Sequence, residues 1–224
     1  MNGASRVLVV DDDAQVRDAY RSFLLSNADF ELVGEATNGQ EGVQEFARLQ
    51  PDIVLMDMQM PVMTGIEATR AICSRWPGAC IVALTTFGSS EYIVAALKAG
   101  ASGYLLKDAT AKALPASMHQ ALAGEMPLSS AVRRALVASV VSDGPSETPT
   151  TDDLELTARE KELLGWLGQG LSNHQIAQRM FVSEGTVKQY LAHAGNKLGV
   201  KSRTQILVRA IQLNLVDPHA MDLM

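Results

Sequence analysis

Four points along the chain carry side chains able to work together on a phosphate. Asp11-Asp12-Asp13 follows the apolar run Val7–Val10, Asp57 follows Ile53–Met56, Thr85-Thr86 follows Cys80–Leu84, and Lys107 follows Ser102–Leu106. If those runs are parallel neighbours in one open sheet, their carboxyl ends share a crevice, which is where such sheets bind ligands. Carboxylates gathered there repel one another unless a cation lies among them. Oxygen donors suit a hard ion such as Mg2+, which holds few carboxylates and keeps waters free for exchange with a phosphate oxygen. A lysine and a hydroxyl facing the same crevice can hold the remaining phosphoryl oxygens. The pattern is that of a carboxylate that accepts a phosphoryl group. The competing role for Asp11–Asp13 is to cap the next helix, where acids favour the N-terminal dipole, and capping is the expected role of Asp13. Met56, Met58, Met60 and Met63 are expected in core and loop packing.

The elements that must position these groups follow from the periodicity. Short β-branched runs at Arg6–Val10, Phe30–Gly34, Ile53–Met56, Cys80–Leu84 and Ser102–Leu106 alternate with stretches of helical spacing. Five strands alternating with helices predict an α/β unit with a doubly wound parallel sheet. Helices on both faces require nearly all-apolar inner strands, as Ile53–Met56 and Ile81–Leu84 are. The first domain is expected over residues 1–125. Residues 126–153 read as a linker: a helix over 131–141 fits, then Ser142–Asp153 has the Ser, Gly, Pro, Thr and acid content of solvated chain. Residues 154–224 then form a second, all-α domain. Thr157 with Glu160, Ser172 with Gln175 and Ser202 with Gln205 fit capping boxes, and Ser183 fits an N-cap alone. Gly168-Gln169-Gly170 and Gly199 mark helix ends. Four short helices are expected, at 158–167, 173–180, 184–197 and 203–214.

Composition narrows the class of protein. The chain has 224 residues, 47% hydrophobic and 20% charged, with two cysteines and four histidines. Two cysteines make no disulfide framework, which fits a reducing compartment, and the scattered histidines lack the spacing of zinc ligands. No apolar run approaches the roughly 20 residues of a membrane span. The N-terminus lacks the layout of a signal peptide. The expectation is a cytoplasmic protein without a membrane partner. The net charge of −6 argues against nucleic acid until it is read by segment. Residues 1–125 hold 9 basic against 15 acidic side chains, and residues 154–224 hold 8 against 6. The C-terminal domain is the basic part.

The motifs Val7-Leu8-Val9-Val10-Asp11-Asp12, Pro51–Gly65 (PDIVLMDMQMPVMTG), Ala83-Leu84-Thr85-Thr86 and Gly103–Asp108 (GYLLKD), in that order, closely resemble receiver domains over about residues 5–123. The resemblance implies a flavodoxin-like fold. It implies Asp57 as phosphoacceptor, Asp11 and Asp12 with Asp57 as Mg2+ ligands, and the Gln59 backbone carbonyl as a further ligand. It gives Thr85 and Lys107 to the phosphoryl group and makes Thr85 and Tyr104 the switch pair. Asp108 stands where many receivers have proline, as in the subfamily with this kind of second domain.

In the third C-terminal helix Val187, Leu191, Ala194 and Leu198 recur at helical spacing and should face the core. Lys188, Gln189, Ala192, His193 and Asn196 then lie opposite. This face, behind a preceding helix and a short turn, has the layout of a major-groove reader, with Lys188 able to pair with guanine and Gln189 with adenine. Charge and periodicity alone fit a plain solvated face equally well. Leu156–Glu160 (LTARE), Gly170–Ala177 (GLSNHQIA), Val182–Lys188 (VSEGTVK) and Lys197–Arg203 (KLGVKSR) are similar to the LuxR-type helix-turn-helix. The whole chain resembles the NarL/FixJ response regulators. That resemblance implies base reading by Lys188, Gln189 and Ala192, and a dimer contact through the last helix. Further DNA contacts are expected from Asn173, Arg179, Thr186, His193, Lys201 and Arg203. The implied partners are a sensor histidine kinase, double-stranded DNA and a second copy of the chain when phosphorylated.

Two positions depart from the family. Tyr190 stands where histidine is usual, and Ala194-Gly195 replaces a pair of large aliphatics. Glycine inside a helix costs about 0.5–1 kcal/mol against alanine, so leucine at 195 is expected to raise the melting temperature. An enzyme with an aspartyl-phosphate intermediate would carry a second acid two residues after the nucleophile. Gln59 stands there, so a non-enzymatic regulator is the expectation. A third reading keeps DNA binding and makes the first domain a phosphate-independent dimerisation module.

Overall fold

The computed structural model describes residues 3–85, 90–107, 110–128, 132 and 155–216. The helix expected over 131–141, Thr86 and Asp108 lie outside the described residues, apart from Val132. In the first unit β1 (Ser5–Val10), β2 (Phe30–Ala36), β3 (Ile53–Asp57), β4 (Ile81–Thr85) and β5 (Gly103–Leu106) alternate with α1 (Ala14–Leu25), α2 (Gly39–Leu49), α3 (Gly65–Arg75), α4 (Ser90–Ala99) and α5 (Thr110–Leu122). All strand pairs are parallel, in the order β2-β1-β3-β4-β5. The order reverses between β1 and β3, so the crossovers leave on opposite faces there and open a crevice at the strands' carboxyl ends.

Alternate residues of each strand feed two cores. Leu8, Val10, Val54, Met56, Ile81 and Ala83 pack under α2, α3 and α4 through Phe46, Ile72 and Leu97. Val7, Val9, Ile53, Leu55, Val82 and Leu84 pack against α1 and α5 through Leu24, Leu114 and Met118. Burial on both faces explains why these strands read as unbroken apolar runs. After α5 the chain returns along β5. The Tyr104 amide donates to Pro127 O at 3.0 Å, and Tyr104 bridges to Leu128.

The second unit contains α6 (Ala158–Gly168), α7 (Asn173–Met180), α8 (Glu184–Leu198) and α9 (Arg203–Gln212). The three capping boxes and the Ser183 cap start these helices where their sequences predict. Leu163, Leu167, Ile176, Val187, Leu191 and Leu207 build its core. Glu160 has two tasks: it closes its capping box and binds Lys197 Nζ of α8 at 2.7 Å. Among the described residues no helix is long and apolar enough to cross a membrane.

Gly195 corrects the expectation drawn from helix propensity. The chain leaves α8 through Gly199 at φ 71° and folds back, so that the Val200 amide donates to Gly195 O at 2.9 Å. A Cβ at 195 would lie 2.8 Å from the Val200 carbonyl oxygen and 3.2 Å from Ile206 Cδ1. The glycine is the clearance for this return, and a larger residue cannot fill a gap that is absent. Gly195→Ala should therefore destabilise the protein by about 1–3 kcal/mol, the range of overpacking, and Gly195→Leu by more. Urea unfolding checks this; a gain in stability from either change would reinstate the helix-propensity argument.

Candidate functional site

The sheet brings the acids together because β1 and β3 are neighbours and end at the same level: Val10 pairs with Met56. Asp11 follows the first strand and is 0% exposed, and Asp57 closes the second at 5%. Asp12 is exposed on the rim. One oxygen from each of Asp11, Asp12 and Asp57 lies within 4.8 Å of the others. Lys107, just past β5, crosses to them: its Nζ is 2.7 Å from Asp11 Oδ2 and 3.0 Å from Asp57 Oδ2. Burial raises the Asp11 pKa, with Lys107 opposing it and Asp57 adding to it. Burial works against the Lys107 charge, but hydrogen bonds to Asp11 and Asp57 outweigh it and the lysine pKa is raised.

The other residues to which the resemblance gives a role lie near this cluster. Gln59 lies two residues beyond Asp57, and its amide donates to Asp57 Oδ1 at 3.4 Å. Thr85 ends β4 next to β3 and is buried. Tyr104 is turned fully inward. Burial raises its phenol pKa, the Thr85 side chain pulls it back and Asp57 pushes it up again. Asp13 caps α1 by accepting from the Gln15 amide at 2.8 Å. Arg17 also belongs to this neighbourhood, with little sign of it in the sequence. Its Nη1 donates to the Asp11 carbonyl at 2.7 Å, and the visible signal was only its place four residues after Asp13, on the same helix face.

The loop from Asp57 to α3 is tightly drawn. Val62 takes φ 68° with the Met63 amide on Pro61 O at 2.8 Å, a three-residue turn. Gly65 then begins α3 against the strand end, where an added Cβ would sit 1.9 Å from Asp57 O.

In the second unit Val187, Leu191, Ala194 and Leu198 of α8 are buried. Lys188, Gln189, Ala192 and His193 are exposed along the opposite side. Arg179 and Lys201 are also exposed, with the Arg179 guanidinium 5.1 Å over the Trp166 ring. Thr186 sits in the first turn of α8, its hydroxyl 2.9 Å from that of Ser183. Asn173 and Arg203 differ from these. Asn173 is 3% exposed, and its Oδ1 accepts from Arg203, which also donates to Leu171 O. Burial pushes the Arg203 guanidinium down to about 10, with Glu125 acting in the other direction. Both side chains face inward and tie the start of α9 to the turn before α7. Arrangement of the two units makes α8 face the first one across a cavity. Lys188, Ala192 and Lys201 line a cavity of about 450 Å3 whose far wall includes Asp52, Ser102 and Glu125. Beside it α9 packs on α4, with Gln205 Nε2 donating to Lys98 O at 3.3 Å.

Residues 7–119 match the family described as the response regulator receiver domain, and residues 154–210 match the bacterial regulatory proteins of the luxR family. The nitrate/nitrite response regulator protein NarL of Escherichia coli K12 is 37% identical over 202 residues, covering 90% of this chain and 93% of NarL. The transcriptional regulatory protein LiaR of Bacillus subtilis is 36% identical over 212 residues, 95% of this chain and 99% of LiaR. The crystal structure of the response regulator ChrA, from a heme-sensing two-component system, is similar over 96% of this chain and 100% of that one, at 39% identity and a TM-score of 0.51. Both halves of the molecule thus have the same kind of relative, and that relative spans the full chain. The protein belongs to the two-component response regulators of the NarL and LiaR type, transcription regulators that join a receiver to a LuxR-type DNA-binding domain.

Proposed function

We propose that Asp57 accepts a phosphoryl group from a sensor histidine kinase in a Mg2+-dependent reaction, and that the aspartyl phosphate controls dimerisation, DNA binding and transcription. The observation that carries this reading is Lys107 bonded to Asp11 and Asp57 at once, with Asp12 beside them. The donor set fits Mg2+. It is all oxygen, and the 4.8 Å span is close to the roughly 3–4 Å between ligands of an octahedral ion with bonds of about 2.1 Å. Asp11, Asp12, Asp57 and the Gln59 carbonyl would hold the ion. When bound, Mg2+ neutralises charge on the phosphoryl oxygens.

The chain's own groups do the rest. A carboxylate oxygen of Asp57 attacks phosphorus in line, the new O–P bond forms, and the N–P bond to the donor histidine breaks. Lys107 then moves from carboxylate to phosphoryl oxygen, and the Thr85 hydroxyl donates to another. Any shift of Thr85 is felt by Tyr104, and α4 lies directly before β5. The contact of α4 with α9 is therefore the natural place for the signal to act. In the closed arrangement Lys188 and Ala192 look into the cavity shared with the receiver, so DNA and receiver compete for one face. Base reading falls to Lys188, Gln189, Ala192 and His193, and phosphate contacts to Arg179, Thr186 and Lys201. We set the domain limits at 1–125 and 154–224 with 126–153 as linker. Two free thiols, Cys73 and Cys80, suit the cytoplasm.

Acetyl phosphate with Mg2+ should add one phosphoryl mass to the protein and none to Asp57→Ala. Binding to genomic DNA fragments across a salt series should tighten with the donor only for the wild type. Mass gain in Asp57→Ala, or none in the wild type, rejects the phosphoacceptor. Equal donor-independent affinity in both proteins would point to a phosphate-independent dimerisation module.

A further inference from the structure

We infer that Arg17 is a positioning residue of the acidic site: it sets the backbone from which Asp12 reaches the cation. The inference rests on the Mg2+ reading above and deepens it. Asp11 is held at four points. Its amide donates to Ala36 O at 3.1 Å, its Oδ1 accepts from the Asp13 amide at 3.0 Å, its Oδ2 meets Lys107, and its carbonyl accepts from Arg17 at 2.7 Å. The first three hold the residue to β2, to the turn and to β5. The fourth reaches back from the first turn of α1, where the Arg17 amide also bonds Asp13 O at 3.1 Å. A peptide unit is planar, so gripping the Asp11 carbonyl fixes the plane that carries the Asp12 nitrogen and Cα. Asp12 is exposed, outside the packing that holds Asp11 and Asp57. Its placement therefore depends on that plane more than theirs does. A charged donor on a carbonyl is among the stronger hydrogen bonds. Groups that orient metal ligands in this way typically change affinity by 10–100-fold.

Charge and positioning predict opposite signs. Arg17 is a cation whose Nη1 lies 2.7 Å from the Asp11 carbonyl oxygen, beside the acidic site. Removing it for its charge alone leaves the carboxylates more attractive to Mg2+. Removing it for its hydrogen bond frees the Asp11–Asp12 peptide and weakens binding.

Arg17→Met keeps the apolar stem and loses both. The half-saturating Mg2+ concentration, read from the Mg2+-induced rise in melting temperature of the full chain, should increase about ten-fold. The half-saturating Mg2+ for phosphorylation by acetyl phosphate should increase in parallel. Arg17→Lys, the milder change, should show a smaller increase of the same sign. Half-saturation unchanged or lowered in both variants overturns the inference, even if the metal-free melting temperature falls. Wild type that neither gains a phosphoryl mass nor responds to Mg2+ would instead reject the parent reading.

Discussion

Lys107→Met should lower the stability of the metal-free protein by about 3 kcal/mol at pH 7 and by much less near pH 4. Lys107 is the cation in contact with Asp11 and Asp57, at 2.7 and 3.0 Å. Removing one partner of a buried ion pair costs about 3–5 kcal/mol because the other charge is stranded; the lower end applies because Lys107 keeps some access to water. The pH dependence follows from Asp11, whose pKa burial already raises against the pull of Lys107. Without that pull it rises further. A carboxyl group raised above its unfolded value is protonated in both states at low pH and costs nothing there. The cost grows from the unfolded value of 3.8 upward through the folded one. The wild-type advantage should thus open between about pH 4 and neutrality. It should close again only at strongly alkaline pH, as Lys107, itself raised, loses its proton. Mg2+ should stabilise the variant more than the wild type, since it restores the missing positive charge. Urea unfolding at three pH values tests this; a pH-independent difference would mean that Lys107 acts by packing alone.

The parts of this site that were legible in the sequence are those fixed by local chemistry. Strand ends carrying Asp11, Asp57, Thr85 and Lys107 could be aligned because a doubly buried parallel strand has to be apolar and its ends do not. Ser172 with Gln175 reads as a helix start because both partners lie within one turn. What escaped depends on residues far apart in sequence. Glu160 reads as a capping residue, yet its carboxylate also takes Lys197, 37 positions away, and this link between α6 and α8 has no local trace. Asn173 and Arg203 read as DNA contacts, but the Arg203 guanidinium donates to the Asn173 side chain, 30 positions away. Gly195 reads as a helix-weakening defect because propensity sees only its own helix, whereas its cause is the chain returning at Val200. The facing of α8 toward the receiver is likewise a property of two units together. It depends on contacts such as Gln205 with Lys98, 107 positions apart.

Gly65→Ala should be the most damaging single methyl group in the receiver. It is expected to cost about 3 kcal/mol, the upper part of the overpacking range. It should also slow phosphorylation of Asp57 about 100-fold, the penalty that an ångström of misplacement can carry. The added Cβ would lie 1.9 Å from Asp57 O, 2.8 Å from Asp57 C and 2.9 Å from Met58 Cα. All three are backbone atoms, so no side chain can rotate away. Nor can the helix retreat easily. Its start is held by the Thr64–Glu67 capping box and by the Gly65 amide on Met58 O at 3.2 Å, and its flank by the buried Ala68 and Ile72. The strand end has to yield, and the residue that yields is the phosphoacceptor. Gly78→Ala is the control: a Cβ there meets nothing within 4 Å, so it should leave both readouts near wild type. If Gly65→Ala melts and is phosphorylated like wild type, α3 is free to slide and does not set the position of Asp57. If only the melting temperature falls, the strand end recovers its geometry at the expense of the helix. A joint loss means that the clearance at Gly65 holds Asp57 where Lys107 and the acidic pair can reach it.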